Sequence, residues 1–224
     1  IVNSDWSSDV CSSDLSKIKG PTPTFRPVTF NSNHRTFKLT QTYKATIGAG
    51  NVQEAVRLPP GEVLEDWLGV AVIDFYNQLC TLFASISAKC HCPEMTAGPK
   101  FKYFWADGKS KQPVMLPANE YITNVMMWTE EYINNEKYFP CDENASYPKD
   151  FLSVIQNIFK RLFRIYAHIY HHHLNDLKEI NAEAFLNTSF KTFIYFAKEF
   201  KLIPNDQLAP LKMIIDQIRS EERR

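Results

Sequence analysis

Cysteine and histidine, whose side chains bind zinc, are concentrated in two short stretches of the sequence. Cys90 and Cys92 lie in "SAKCHCPEM", and the second stretch is "RIYAHIYHHHLND", residues 164–176. Four of the chain's six histidines lie in this second stretch: His168, His171, His172 and His173. Two cysteines and two histidines would complete a tetrahedral zinc site. The two stretches therefore predict a zinc site, if the fold brings them together.

The histidine spacing leaves the fourth ligand open. On a regular α-helix, His168 and His172 share a face, because four residues return a side chain to the same side. A pair of His168 and His173 would require the helix to loosen at its end. The C-x-C spacing is also tighter than the usual C-x₂₋₄-C. The alternative interpretation is surface histidines and two buried thiols, and spacing alone does not choose between them.

A catalytic zinc is the competing functional hypothesis, and it would make the protein a zinc-dependent hydrolase with a Cys/His site. Such a site needs an open coordination position and a nearby general base. The sequence contains no H-E-x-x-H motif, and a Cys₂His₂ set would be closed. The pattern therefore favours a structural zinc.

Two charged clusters accompany the cysteines and histidines. Lys160, Arg161 and Arg164 in "FKRLFR" can converge on one helix face, where guanidinium groups could grip a phosphate. The alternative is a solvated basic face. The second cluster, Glu62, Glu65 and Asp66 beside Trp67, would suit a helix N-terminus without any partner.

Helices must position these clusters. An apolar stripe predicts a long core helix that follows "LPPGEV" and ends near Cys90, and a second over residues 151–174. If these two helices pair antiparallel, the cysteine end of one can meet the histidine end of the other. Further helices are predicted over 38–49, over 118–135, after "NTSF" and from Pro204 or Leu208, with a hairpin at the "ADG" turn. The sequence predicts an all-α domain with one short β-hairpin.

Composition divides the chain into three segments and argues against nucleic acid and anionic membranes as partners. Residues 1–15 resemble translated cloning sequence and are predicted to be a non-native tail, residues 16–35 to be an extended, flexible arm, and residues 36–224 to be the helical domain. Lys+Arg and Asp+Glu are 25 each, which gives no reason to expect nucleic acid or an anionic membrane as a partner. No apolar run is as long as a membrane span.

Several longer motifs together resemble the MOB (Mps-one-binder) kinase-activator family. They are "GNVQEAVRLPPGEVLEDWLGVAVIDFYNQLCTLF", "CPEMTAGPKFKYFWADG", "FKRLFRIYAHIYHHH" and "LNTSFKTFIYF". The resemblance implies a four-helix-bundle core, one structural zinc and no enzymatic activity. The zinc ligands that it implies are Cys90, Cys92, His168 and His173. The family usually spaces its cysteines as C-x₄-C, and the shorter spacing here weakens Cys90 as a ligand more than Cys92.

The resemblance also implies partners. The subgroup is the one that activates NDR/LATS-type kinases of the AGC class, by binding the kinase N-terminal segment and phosphorylated segments of upstream kinases or scaffolds. The basic cluster corresponds to the family's phosphopeptide pocket, and Thr24 and Thr46 to its phosphorylation sites. The implied kinase-binding positions are Glu62, Asp66, Trp67, Phe139 and Pro140. We expect a cytoplasmic location, with the nucleus also open.

Overall fold

A computed structural model describes residues 25–47, 51–106 and 112–221 of the chain. Helices dominate, and the prediction of an all-α fold with a very small sheet is confirmed. The helices are α1 Phe37–Ile47, α2 Val52–Ala55, α3 Leu64–Ile86, α4 Ala118–Ile133, α5 Phe151–His168, α6 Leu174–Glu179, α7 Glu183–Glu199 and α8 Lys212–Glu221. A π-helical turn, Ile169–His173, follows α5, and a 3₁₀ turn, Asn205–Leu211, precedes α8.

Helix α3 is the centre of a four-helix core. It packs against α4, α5 and α7, and α4 also packs against α5. Aromatic rings join three of these helices: Phe75 of α3 lies edge-on to Phe159 of α5 and Phe193 of α7, with ring centroids 5.8 and 5.1 Å apart. Each large ring buries apolar area, and edge-to-face geometry adds to that gain. The apolar stripe read from the sequence therefore forms this core.

Helix α3 is also long and apolar enough to cross a membrane by length and composition, contrary to the sequence expectation. Its most apolar window is 67% buried inside the helical core. Since the core helix of a soluble fold satisfies the same criterion, the finding is weak support for a membrane span.

Helices α3 and α5 run parallel, so the expectation of antiparallel pairing is wrong. Asp66 near the start of α3 contacts Tyr147, which precedes α5, and Cys90 beyond the end of α3 lies beside His168 at the end of α5. Both pairs of contacts advance in the same direction along the two helices. Cysteines and histidines at the C-terminal ends meet only in a parallel pair. Helix α4, which lies between α3 and α5 in the sequence, begins near the end of α3 and carries the chain back towards the start of α5.

The small sheet lies earlier in the sequence than predicted. Strand β1, Thr96–Ala97, pairs antiparallel with β2, Phe101–Lys102. Gly98 in the connecting turn has φ +67°, a conformation that glycine adopts without a Cβ penalty. On either side of the expected "ADG" turn, Trp105 and Val114 form an isolated antiparallel bridge. Residues 107 and 108 of that turn lie outside the described residues.

Residues 25–35, the described part of the predicted N-terminal arm, lie against the helical core. Residues 25–31 have no regular secondary structure, and residues 32–35 form turns and a bend. Phe25, Val28 and Phe30 pack against the core. The backbone N–H of Val28 donates to Asn77 Oδ1 at 2.7 Å, and Asn77 Nδ2 donates to the Val28 carbonyl at 2.8 Å. Apolar residues on both sides of Pro27 thus anchor the segment. Residues 1–24 lie outside the described part of the chain.

Two later helix boundaries differ from the sequence expectation. Helix α7 begins at Glu183, so that "NTSF" lies inside the helix rather than before it. The last segment starts after Pro204, as one of the two alternatives predicted, but its first seven residues are a 3₁₀ turn before α8. Neither difference moves an apolar face out of the core.

Candidate metal centre and basic pocket

The four side chains that the resemblance implies as zinc ligands form one cluster. The donor atoms of Cys90, Cys92, His168 and His173 all lie within 4.8 Å of one another. Sγ of Cys90 is 3.7 Å from Nε2 of His168, and Sγ of Cys92 is 3.7 Å from Nε2 of His173. Tetrahedral zinc, with its usual bond lengths, would hold sulfur and nitrogen donors roughly 3.5 Å apart. The donor set therefore fits a metal ion of this kind.

The π-helical turn after α5 explains why His173 rather than His172 joins the cluster. A π-helical turn closes over five residues instead of four, so it brings His173 to the face of His168. His172 points elsewhere, and its Nε2 lies 2.9 Å from Oγ1 of Thr96. Pairing His168 with His173 requires a wider helical turn, and the π-helical turn provides it by including one extra residue. The cluster therefore contains His173, as the resemblance implies, rather than the His172 that regular helix geometry favours.

Both histidines of the cluster are oriented by a partner on Nδ1. Nδ1 of His168 lies 2.8 Å from the Thr96 carbonyl, and Nδ1 of His173 lies 2.8 Å from Oδ2 of Asp176. Because each acceptor holds a proton on Nδ1, the lone pair of Nε2 points into the cluster. Metal-binding histidines are commonly oriented in this way.

Burial sets the electrostatics of the cluster. It raises the pKa of the Cys90 thiol to about 11 and lowers the pKa of His168 to about 4. His168 is therefore neutral at pH 7, the form that binds a metal. A dication would instead favour the Cys90 thiolate over the thiol, so metal binding and proton release are coupled.

The basic cluster lines a pocket of about 410 Å³ beside α5. Lys160, Arg161 and Arg164 all lie on its wall, with Lys102 across from them. Lys102 pairs with Glu94 at 2.6 Å, whereas Lys160 forms no ion pair with any residue in the described part of the chain. The convergence predicted from helical spacing is present in the fold.

We call this pocket, lined by Lys160, Arg161 and Arg164, the basic pocket. Both of its arginines also contact other residues of the fold, which the sequence did not indicate. The guanidinium of Arg161 lies over the rings of Trp105 and Trp128, at 4.5 and 4.2 Å, and its Nη2 donates to the Ala106 carbonyl at 2.5 Å. Arg164 Nη1 donates to the Tyr121 hydroxyl at 2.7 Å. The arginines are thus held in place before any ligand binds, and Arg161 and Arg164 contribute to the fold as well as to the pocket.

The acidic cluster is divided between the surface and an internal ion pair. Glu62 is exposed. Asp66 is largely covered: its Oδ1 lies 2.9 Å from Nε of Arg35, its Oδ2 accepts from Nη2 of Arg35 at 2.9 Å, and the Tyr147 hydroxyl donates to Oδ1 at 2.5 Å. Asp66 therefore ties the N-terminal segment and the loop before α5 to α3. Glu62 is therefore open to a basic partner without rearrangement, whereas Asp66 is engaged by Arg35 and Tyr147 and Glu65 is half-buried.

Three implied kinase-binding residues are buried. Trp67 is fully buried, and its Nε1 donates to the Val56 carbonyl at 3.0 Å. Phe139 packs on Gly69 of α3 and is 5% exposed, and Pro140 is buried too. These side chains can shape the surface from beneath but do not form it. Indole and phenyl rings at helical spacing are usually core, and here that ordinary interpretation holds.

The two implied phosphorylation sites have different outcomes. Thr46, near the end of α1, is half-buried, and its hydroxyl donates to the Thr42 carbonyl at 2.6 Å. Modification of Thr46 would break that bond at the last turn of the helix. Thr24 lies outside the described residues.

Sequence reasoning missed several residues of these sites. Arg35 was assigned to a flexible arm, although an arginine next to a buried apolar segment is a candidate ion-pair partner. Asp176 follows the histidines by three residues, which is a local signal for orientation of His173. Trp105 and Trp128 carry no spacing signal, because they reach Arg161 from two other parts of the fold.

Comparison with known proteins supports the resemblance. Residues 44–211 match the Mob1/phocein family. An Arabidopsis thaliana protein named MOB kinase activator-like 1A is 45% identical over 202 residues, which is 88% of this chain and 94% of that protein. The Schizosaccharomyces pombe protein named Maintenance of ploidy protein mob1 is 41% identical over 199 residues, 87% of this chain and 95% of that protein. The chain belongs to the Mob1/phocein family.

Proposed function

We propose that the chain is a non-catalytic co-activator and adaptor of NDR/LATS-type Ser/Thr kinases. The observation that carries the proposal is the match to proteins named MOB kinase activator-like over 87–88% of this chain. The match covers 93–94% of those relatives as well. Its partners in this role are the kinase N-terminal segment and phosphorylated upstream proteins.

A structural zinc ion is part of this proposal. Cys90, Cys92, His168 and His173 would hold it, and four protein donors leave no coordination position for a substrate. When bound, the ion supplies a cross-link rather than a reactive centre. It would tie the end of α3 to the π-helical turn after α5, and so fix the orientation of the helix that carries the basic pocket.

The basic pocket is proposed to bind phosphothreonine or phosphoserine. Lys160 offers a mobile ammonium, and Arg164 a guanidinium held by Tyr121 at the pocket wall. A charge-assisted hydrogen bond contributes about 1.5–3 kcal/mol when it is partly shielded from water. Since Arg161 and Arg164 are already positioned by interior contacts, little side-chain entropy is lost on binding.

The kinase segment is proposed to bind the surface around the exposed Glu62, just before α3. A basic segment would be attracted to this carboxylate, and Trp67, Phe139 and Pro140 would support the surface from below. Asp66 would contribute by holding Arg35 and the N-terminal segment in place. A partner that displaced Arg35 would reach Asp66 as well.

The phosphopeptide proposal is tested by titration of a phosphothreonine peptide and its unmodified twin. We expect wild type to prefer the phosphorylated peptide by tenfold or more, and Lys160→Gln and Arg164→Gln each to reduce that preference, at about 1.4 kcal/mol per decade of affinity. Lys38→Gln, an exposed lysine of α1 outside the pocket, is the matched control. Equal affinity of wild type for the two peptides would refute the proposal.

A further inference from the structure

A second basic pocket lies next to the first. It has a volume of about 440 Å³ and lies between α5, the end of α7 and the turn that follows α7. Lys160, Lys198 and Lys201 line it, together with Gln156 and Asn205. We name it the lysine pocket. Lys160 lines both the basic pocket and the lysine pocket, so the two are adjacent.

The charge of the lysine pocket favours an anion. Three lysines line it and no carboxylate does. Within the described ranges, no Asp or Glu oxygen lies within ion-pair distance of Lys160 or Lys201. Like charges that share one concave surface raise the local potential, which an anionic ligand relieves.

The spacing along α5 sets the distance between the two pockets. Gln156, Lys160 and Arg164 follow one another at four-residue intervals and therefore share a face of the helix. Each interval is about 6 Å along the axis. Gln156 lines only the lysine pocket, Arg164 lines only the basic pocket, and Lys160 lies between them. An extended peptide advances about 3.3 Å per residue, so about two residues span one interval and about four span the two intervals from Gln156 to Arg164.

We propose that the lysine pocket accepts a second anionic side chain of the same peptide whose phosphate occupies the basic pocket. The second group lies two to four residues from the phosphorylated residue and is a glutamate, an aspartate or another phosphate. This inference rests on the proposed phosphopeptide function and narrows it. The preferred partner is an acidic or doubly phosphorylated segment rather than an isolated phosphoresidue.

Lys201 offers a clean variant for the test. Its φ is +52°, a left-handed conformation that asparagine and glycine tolerate better than most residues. Lys201→Asn therefore removes the charge without backbone strain, and Lys201→Gly is a second variant that also suits this backbone. Lys201 does not line the basic pocket, so both variants leave the proposed phosphate site intact. Lys38→Gln removes a positive charge elsewhere and controls for net charge.

The experiment measures peptide affinity by titration calorimetry. Each phosphothreonine peptide carries Gln, Glu or a second phosphothreonine at two, three or four residues on either side. At one spacing, we expect Glu or phosphate to bind wild type about three- to tenfold more tightly than Gln, because the exposed Lys201 contributes a modest ion pair in a pocket that the half-buried Lys160 also lines. The gain should shrink at high salt.

The variants decide where the gain arises. Lys201→Asn and Lys201→Gly should each remove most of the gain, with the affinity of the Gln peptide and the melting temperature unchanged, whereas Lys38→Gln should keep it. Equal affinity of the Gln, Glu and phosphate peptides at every spacing would overturn the inference and leave the phosphopeptide function standing. A gain that survives in both Lys201 variants would also overturn it. No preference for phosphothreonine over threonine would overturn both.

Discussion

Arg161 stabilises the fold as well as lining the basic pocket. Its guanidinium is stacked between Trp105 and Trp128, which come from the β-bridge region and from α4. Each such cation–π contact contributes about 0.5–1 kcal/mol at exposed sites and up to about 2 when water is excluded. The residue thus links three segments around the pocket.

We expect Arg161→Ala to lower the free energy of unfolding by about 2 kcal/mol in urea denaturation. Lys160→Ala should change it by less than about 0.5 kcal/mol, since Lys160 has no ion pair within the described residues. The two positions are neighbours in the sequence and on the pocket wall, so the comparison separates folding from binding. Equal stability of the two variants would show that the stacking contributes nothing.

Cys92 is the ligand whose removal tests the metal centre most simply. Cys92→Ala should lose the metal that wild type carries at about one equivalent, because three donors hold zinc far less tightly than four. Zinc binding is coupled to folding, so the free energy of unfolding should fall by about 3 kcal/mol or more, roughly 6–12 °C in Tm. Metal analysis and thermal denaturation measure both effects.

Cys141→Ala is the control for Cys92→Ala, because Cys141 is an exposed cysteine outside the cluster. It should keep the metal and the melting temperature. If Cys92→Ala retained one equivalent of metal and full stability, the metal site would have been assigned to the wrong residues.

The π-helical turn is the feature at the element scale that fixes the metal centre. It adds one residue to a helical turn, so that positions 168 and 173 share a face instead of 168 and 172. Single π-helical turns within α-helices are frequently found at functional sites, where they tolerate a weaker backbone geometry. A metal ion at this position would offset that cost.

The two neighbouring histidines provide a matched test of this turn. His173→Ala should lose the metal, and His172→Ala should retain it and lose only a hydrogen bond with Thr96. Metal content of the two purified variants is the measurement. Loss of metal from His172→Ala with retention in His173→Ala would mean that the segment is a regular α-helix in solution.

The N-terminal segment is a second element with a testable energetic signature. His34 stacks on Phe30, with ring centroids 3.6 Å apart, and its Nδ1 lies 2.9 Å from Oγ1 of Thr36. Burial lowers the pKa of His34, the nearby Arg35 lowers it further, and Asp66 opposes the shift. Unfolded histidine titrates near pH 6.5, so the unfolded chain takes up the proton first as pH falls.

Stability that depends on neutral His34 should therefore be present above about pH 6.5 and decline below it. We expect the free energy of unfolding of wild type minus that of His34→Phe to decrease from pH 7.5 to pH 5, by at most about 1.4 kcal/mol per pH unit. Urea denaturation at several pH values measures the difference, and His91→Gln serves as the surface control. A difference that stays constant with pH would show that His34 is not held neutral by the fold.

The helices could be predicted from the sequence largely because each presents a continuous apolar stripe. The stripe of α3, for example, becomes the buried centre of the fold. The relative direction of α3 and α5 could not be predicted, since periodicity within a helix carries no information about its neighbour. The small sheet was misplaced because two-residue strands have no recognisable period, and Gly98 was the available signal.

The candidate sites were predictable to different degrees for physical reasons. The donors of the candidate metal centre have distinctive chemistry, and the four residues that the resemblance implies do lie in one cluster, although helix geometry favoured His172 over His173. The stacking of Arg161 and the pairing of Arg35 with Asp66 depend on contacts between segments 31 or more residues apart. Such long-range contacts appear only when the chain is folded.

At the scale of the whole molecule, two of the surfaces described above share a common scaffold. The basic and lysine pockets lie along α5, and the metal centre lies at its C-terminal end. The exposed Glu62 precedes α3, which packs in parallel with α5. One partner with a phosphorylated segment and another with a basic segment could therefore bind the same molecule together. This arrangement suits an adaptor.

The central claim is tested most directly by the activity of a purified NDR/LATS-type kinase towards a peptide substrate, with and without this protein. We predict that wild type raises the phosphorylation rate in a saturable way and transfers no phosphate by itself. Glu62→Lys should require a higher concentration for the same activation, whereas Glu120→Lys, an exposed glutamate on α4, should resemble wild type. An unchanged kinase rate at saturating concentrations of folded, metal-loaded wild type would contradict the account.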